Sequence, residues 1–156
     1  METETLEKIL DEHPFFRGLK AHHLRTVAER ATVVRFEPGE VIFREGEPAH
    51  RFYVIRTGRV ALQLVSYRID PLTVMTIEQG DIIGWSWLFP PYRWKLTAKA
   101  LEVTRAISLD GRSVCTRCEK DHHLGYELMK RFAQIIENRV EALSVHLVES
   151  DSSEFG

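Results

Sequence analysis

Residues 84–100 concentrate the side-chain chemistry of this chain. The run Gly84-Trp85-Ser86-Trp87-Leu88-Phe89-Pro90-Pro91-Tyr92-Arg93-Trp94-Lys95-Leu96-Thr97-Ala98-Lys99-Ala100 carries three cations and no Asp or Glu. It also holds all three tryptophans of the chain, with Phe89 and Tyr92 between them. The whole chain has 21 Lys and Arg against 23 Asp and Glu, a net charge of -2, so the segment inverts the sign of its surroundings. Cations among aromatic faces suit an anion that carries a flat ring, through charge pairing, stacking and cation–π contact. Pro90-Pro91 stiffens the loop, which lowers the ordering cost of binding. Two other uses of the same residues stay open. The indoles can fill the pocket and lean on a neighbouring helix, or they can stand exposed as anchors for a protein partner.

Other candidate groups point away from catalysis and metals. Cys115, Cys118 and His122 fall at i, i+3 and i+7, a helical face that zinc can use. A helix break near Asp121 and the single cysteine pair favour two buried structural thiols instead, so no metal site is expected. Cys115-Thr-Arg-Cys118 lacks the βαβ context of a redox motif. His22-His23 stands early in a helix and faces solvent in part. Glu45 and Glu47 flank a turn glycine and read as a solvated loop. No Ser-His-Asp order, Walker loop, HExxH or Rossmann glycine fingerprint occurs, and the chain is read as no enzyme.

The elements that must position residues 84–100 follow from periodicity. Residues 4–30 read as helices: Leu6, Ile9 and Leu10 share a face, Pro14 ends the first helix near His13, and a second short helix holds Leu24, Val27 and Ala28. From 31 to 109 the pattern turns to eight short β runs: 32–36, 41–43, 52–56, 59–65, 72–77, 81–83, 96–101 and 103–109. Pro38-Gly39, Glu45-Gly46-Glu47-Pro48, Thr57-Gly58, Asp70-Pro71 and Gln79-Gly80 separate them as turns. Such a series predicts a sandwich, jelly roll or barrel. Asp110 or Ser113 can cap a short helix to Lys120, and a longer one runs from Asp121 to about Val148. Its stripe of Met129, Phe132, Ile136, Val140, Leu143 and Leu147 packs on the β unit in its first half and is free to meet a partner helix in its second. Residues 150–156 read as a flexible polar tail.

The run from Phe36 to Val60 resembles the signature of the cyclic nucleotide-binding domain family, found in catabolite activator proteins, kinase regulatory subunits and cyclic nucleotide-gated channels. Pro38-Gly39 precedes an apolar strand, then come Glu45-Gly46, Tyr53-Val54-Ile55 and Gly58-Arg59-Val60. Gly80-Asp81-Ile82-Ile83-Gly84 resembles the approach to the family's phosphate-binding cassette, and His13-Pro14-Phe15-Phe16-Arg17-Gly18-Leu19 its entry segment. The resemblance covers roughly residues 10–148. It implies an eight-stranded β jelly roll with N-terminal helices and a long C-terminal helix. It also implies a cassette in which a short helical turn gives N–H groups to a cyclic phosphate, a Glu holds the ribose and an Arg pairs the phosphate. In this sequence Gly84 and Leu88 match the cassette, Trp85 replaces the ribose Glu, and Trp87 replaces a small residue. Trp94 occupies the place of the phosphate Arg, with Arg93 one residue away and Lys95 at the small hydroxyl position.

The resulting expectation is one domain over residues 1–149, with helices in 4–30, the β roll in 31–109 and C-terminal helices in 113–148. It acts as a stand-alone regulatory sensor signalling through its last helix. Gly84, Ser86 and Trp87 give backbone or hydroxyl groups to the anion, Arg93 or Lys95 gives charge, and Trp85 and Trp94 stack or wall the pocket beside Leu88. The ligand implied is a cyclic nucleotide (cyclic AMP or cyclic GMP) or another anionic aromatic molecule, with no other cofactor. The alternatives are a ligand-free interaction or dimerisation module and a fragment of a transcription regulator without its helix-turn-helix. A homodimer through the C-terminal helix and an unidentified effector protein are the expected partners. The acidic balance argues against direct nucleic-acid binding. No apolar run approaches the roughly 18 residues of a membrane span, and the acidic N-terminus does not read as a signal peptide. The location expected is the cytoplasm.

Overall fold

The computed structural model describes residues 2–65 and 69–155. Two helices, α1 (Glu2–Glu12) and α2 (Ala21–Ala28), lead into eight strands. These are β1 (Thr32–Phe36), β2 (Val41–Phe43), β3 (Arg51–Thr57), β4 (Val60–Leu64), β5 (Leu72–Ile77), β6 (Ile82–Ile83), β7 (Thr97–Ala100) and β8 (Thr104–Asp110). Two helices follow, α3 (Gly111–Lys120) and α4 (His122–Phe155). The strands form two four-stranded antiparallel sheets, ordered β1-β8-β3-β6 and β2-β7-β4-β5. This is the mostly β jelly roll with flanking helices that the turn spacing and the resemblance imply.

Local chemistry accounts for the boundaries. Pro14 stands two residues past the end of α1, and the chain turns there with Arg17 N–H donating to His13 C=O. Asp110, not Ser113, is the N-cap of α3: its carboxylate accepts the Ser113 N–H at 3.2 Å, satisfying one of the orphan donors of a first helical turn. Gly58, at φ +103°, allows the β3–β4 turn to lie against Thr104, where a Cβ would come within 2.6 Å of its Oγ1. The backbone of α4 stays helical to Phe155, through most of the stretch expected as a flexible tail, and Gly156 lies outside the described residues.

The buried residues separate into two groups. Ile55, Val60, Leu62, Ile77, Ile83, Ala98 and Ala106 fill the interior of the roll. A larger group sits where the helices meet the first sheet, built on Leu10, Phe16, Phe52, Trp87, Leu128 and Phe132. The register of β7 explains one part of the charge pattern. Ala98 and Ala100 are buried and Lys99 alternates with them to the opposite face, so Lys99 points away from the roll's interior.

His13 joins the two groups and is 6% exposed. Its Nε2–H donates to Ile55 C=O at 2.9 Å and its Nδ1 accepts the Phe15 N–H at 3.2 Å. Both nitrogens are thus satisfied only in the neutral ring. Burial pushes the His13 pKa below the ordinary 6.5, against the opposing pull of the Ile55 carbonyl and Asp81. Below 6.5 the unfolded chain binds a proton that the folded chain refuses. The stability from neutral His13 is therefore complete above the ordinary value and is lost as pH falls toward the lowered one. Urea midpoints measured on either side of that window should fall on acidification, and the fall should be smaller in His13→Gln.

Candidate functional site

Between the second sheet and α4 lies a cavity of about 210 Å³. Leu62 and Met75 line it from the roll, Phe43 and Trp94 close one end, and Ile136 and Leu143 form the α4 wall. Gly84, Trp85, Ser86 and Lys95 also line it. Trp87, Leu88 and Arg93 do not. Five of the eight residues expected at the site are therefore brought together, and three stand elsewhere.

The three tryptophans do different things. Trp94 is buried and stacks on Phe43, ring centroids 3.8 Å apart and 13° from parallel. Its six-membered ring lies over Gly84: a Cβ there would come within 2.8 Å of Trp94 Cη2. Gly84 also has φ +93°, so the indole's approach and the backbone turn both demand glycine. Trp87 turns away from the cavity into the core between Phe52 and Phe132, at centroid distances of 5.3 and 5.6 Å. Its Nε1–H donates to Gly84 C=O at 3.1 Å, and Gly111 is needed beneath it, since a Cβ would sit 2.4 Å from the indole. Trp85 remains partly exposed at the cavity, with the Arg139 guanidinium carbon 4.6 Å from its ring centroid.

The cations divide as well. Arg93 reaches back to the turn after β2, donating from Nη1 to Gly46 C=O at 2.8 Å. Backbone bonds between Trp94 and Glu47, and between Ala49 and Tyr92, hold the strand in that register. A one-residue shift that would bring Arg93 inward is therefore opposed by this ladder. Phe89 and Tyr92 lie exposed on the outer loop. The cassette turn itself is a single 3-10 turn over Ser86–Leu88.

Arg139 of α4 is the residue that sequence reasoning missed. It is 8% exposed, and its Nη2 donates to Asp81 Oδ1 at 3.1 Å and to Ile82 C=O. Its Nε is buried with no partner among the described residues. Burial pulls its pKa down and the Asp81 carboxylate pulls it up, yet a guanidinium stays charged in either case. The available signal was position: Arg139 follows Phe132 and Ile136 along the face that packs on the roll, where a charge needs a partner. Lys95 and Arg139 are the only charged side chains lining the cavity among the described residues. The rest of its wall is almost wholly apolar.

The model of the family described as "Cyclic nucleotide-binding domain" matches residues 33–121. The chain belongs to this family. Among curated relatives, a CRP-like cAMP-activated global transcriptional regulator of Mycobacterium tuberculosis is 28% identical over 107 residues, 67% of this chain and 47% of that protein. Acetyltransferase Pat of Mycolicibacterium smegmatis is 39% identical over 72 residues, 45% of this chain and 21% of that protein. The chain thus spans about half or less of the length of these relatives. A putative cyclic nucleotide-binding protein from Geobacter metallireducens superposes with a TM-score of 0.75 at 26% identity, covering 90% of this chain and 98% of that one. A cyclic nucleotide-binding domain from Methylobacillus flagellatus superposes at 0.78 with 16% identity, over 96% and 84%.

This cyclic nucleotide-binding domain keeps the family's fold, with Trp85 and Trp94 lining the cavity. No helix among the described residues is long and apolar enough to cross a membrane. Arg139 fastens α4 to the cassette approach, so Arg139→Met should lower stability by about 1–3 kcal/mol, the usual cost of losing charge-assisted bonds and leaving their partners unmet. Urea unfolding measures this, and the same variant should shift the emission of Trp85.

Proposed function

We propose that this domain is a regulatory sensor whose ligand occupies the cavity between the roll and α4, and that the ligand is a small apolar or aromatic anion. The observation that carries the reading is the lining: an apolar chamber whose only charges among the described residues are Lys95 and Arg139, the latter with a buried Nε–H that no described residue accepts. A carboxylate or similar anion would satisfy that donor and pair with Lys95, while its body displaces water from Leu62, Met75, Ile136 and Leu143. Trp94 over Gly84 stands where the resemblance places a phosphate-pairing Arg, and Trp85 where it places the ribose-binding Glu. Both replacements favour an apolar body over a sugar phosphate. The open cavity argues against a filled, ligand-free module.

Signalling follows from the same contacts. Arg139 and the α4 wall belong to the helix, and the remaining walls belong to the roll, so a ligand binds best at one spacing of the two. Differential affinity for that spacing shifts the position of α4. Titration of the protein with an apolar carboxylate such as 2-naphthoate should change Trp emission and raise the thermal midpoint. Lys95→Ala should weaken that binding about tenfold, the worth of one charge-assisted bond. Cyclic AMP and cyclic GMP at millimolar concentration should do neither. Tight binding of a cyclic nucleotide, or no response to any apolar anion, would sink the proposal.

The output proposed is a homodimer through α4. Val140, Val145, Leu147 and Val148 are all more than half exposed, and Val140 and Leu147 lie on the stripe in which Phe132 is buried and Met129 is already 37% exposed. Sedimentation should show a concentration-dependent dimer, and Leu147→Glu should shift it to monomer without changing the helical circular dichroism of the roll-bound part.

A further inference from the structure

At the start of α4, α2 meets the corner between α3 and α4 through a cluster of imidazoles and one carboxylate. His22, His23 and Asp121 each offer a ligand atom, all within 4.8 Å of one another. His23 is 2% exposed, an unusual depth for a histidine on a short N-terminal helix. Its Nε2 lies 3.2 Å from Asp121 Oδ2, at the long end of the N–H···O range. Its Nδ1 is buried with no partner among the described residues. An ion bound at Nε2 would leave the proton of the neutral ring on Nδ1, so Nε2 is the ligating atom and Nδ1 is not.

We infer that His22, His23 and Asp121 form a binding site for a borderline divalent cation of the zinc type. Two ligand atoms each bound at 2.0–2.1 Å to a tetrahedral zinc lie about 3.3 Å apart, the separation that His23 and Asp121 already have. His22 is exposed and free of any ion pair among the described residues, so its ring can swing onto the ion at little cost. Two neutral imidazoles and one carboxylate are a donor set that zinc accepts, with the fourth position left to water. Asp121 is well placed to ligate: its Oδ1 accepts the Leu124 N–H at 3.2 Å, which leaves Oδ2 toward His23. Arg117, the guanidinium of the adjoining helix, is paired with Glu29 at 3.0 Å, which leaves its charge compensated. The ion would fasten α2 to the first turn of α4, the helix that also walls the ligand cavity.

The competing thiol cluster does not coincide with this one. Cys115 and Cys118 are half-buried on α3, and burial and neighbouring charge push the Cys118 thiol up to about 11, which disfavours the thiolate that zinc requires. Residues 115, 118 and 122 are thus separated in role from His22 and His23, which the sequence reading set aside as partly solvent-facing.

The test uses the full chain freed of metal by chelator, with zinc chloride alone as the probe and cobalt(II) as its spectroscopic stand-in. The expected result is saturable binding of one equivalent, a rise in thermal midpoint, and cobalt visible absorption of tetrahedral type. His22→Ala removes an exposed ring and leaves the fold intact; Asp121→Asn retains an oxygen for the Leu124 N–H. Each should weaken zinc binding at least tenfold, since even partners that only support a ligand cost ten- to a hundredfold. The double variant Cys115→Ser/Cys118→Ser should bind zinc as the parent does. Absence of saturable binding overturns the assignment. So does an unchanged affinity in His22→Ala, or a loss confined to the cysteine variant.

Discussion

Phe132 of α4 is where four distant parts of the chain are tied together. Its ring lies 5.0 Å from Phe15 of the entry turn, 5.5 Å from Phe52 of β3 and 5.6 Å from Trp87 of the cassette, mostly edge to face. Such pairs add about 0.5–1.5 kcal/mol each beyond the area they bury. Position matters more here than the sum. The cassette can present its cavity-lining residues to α4 only because Trp87 is anchored against the same ring that anchors α4. The N-terminal helices, the roll and α4 share one packing centre.

That constraint separates the tryptophans by function. Trp87 is spent on the core, with Gly111 cleared beneath it, and fixes the cassette's inner end. Trp94 is spent on the cavity wall, stacked on Phe43 and seated on Gly84. Trp85 alone keeps an open face, and Arg139 covers part of it. The cavity's apolar character follows from this division. Two bulky rings take up space where the resemblance implies polar contacts, and one arginine from a helix far along the sequence supplies charge.

Much of the fold is legible in the residues. Turn pairs such as Pro38-Gly39, Thr57-Gly58 and Gln79-Gly80 bracket runs of β-branched residues, and every one of the eight strands falls where those signals place it, within a residue or two at either end. Leu6, Ile9 and Leu10 disclose α1, and Pro14 its end. These features are local: they depend on φ limits, side-chain branching and alternation, which neighbours in sequence settle. The site is legible only in part. Gly84, Trp85, Ser86, Trp94 and Lys95 line the cavity. Arg93 does not, because the strand ladder to the turn at residues 46–49 points it outward. Arg139 is invisible in the cassette because it is distant in sequence and reads as one more charged residue of a long helix.

The sequence by itself determined the elements, their order and the family, because glycine turns, alternation and helical periodicity are written in adjacent residues. It also determined that residues 84–100 are cationic and aromatic. Tertiary structure alone decided which of those aromatics are walls and which are core, since that depends on where Phe43, Phe52 and Phe132 arrive after folding. It likewise decided that the pocket's second charge is Arg139, and that His23 and Asp121 meet across 98 positions of chain. Contacts of that separation are products of packing, in which side chains from remote segments compete for the same volume, and no local rule ranks the outcomes.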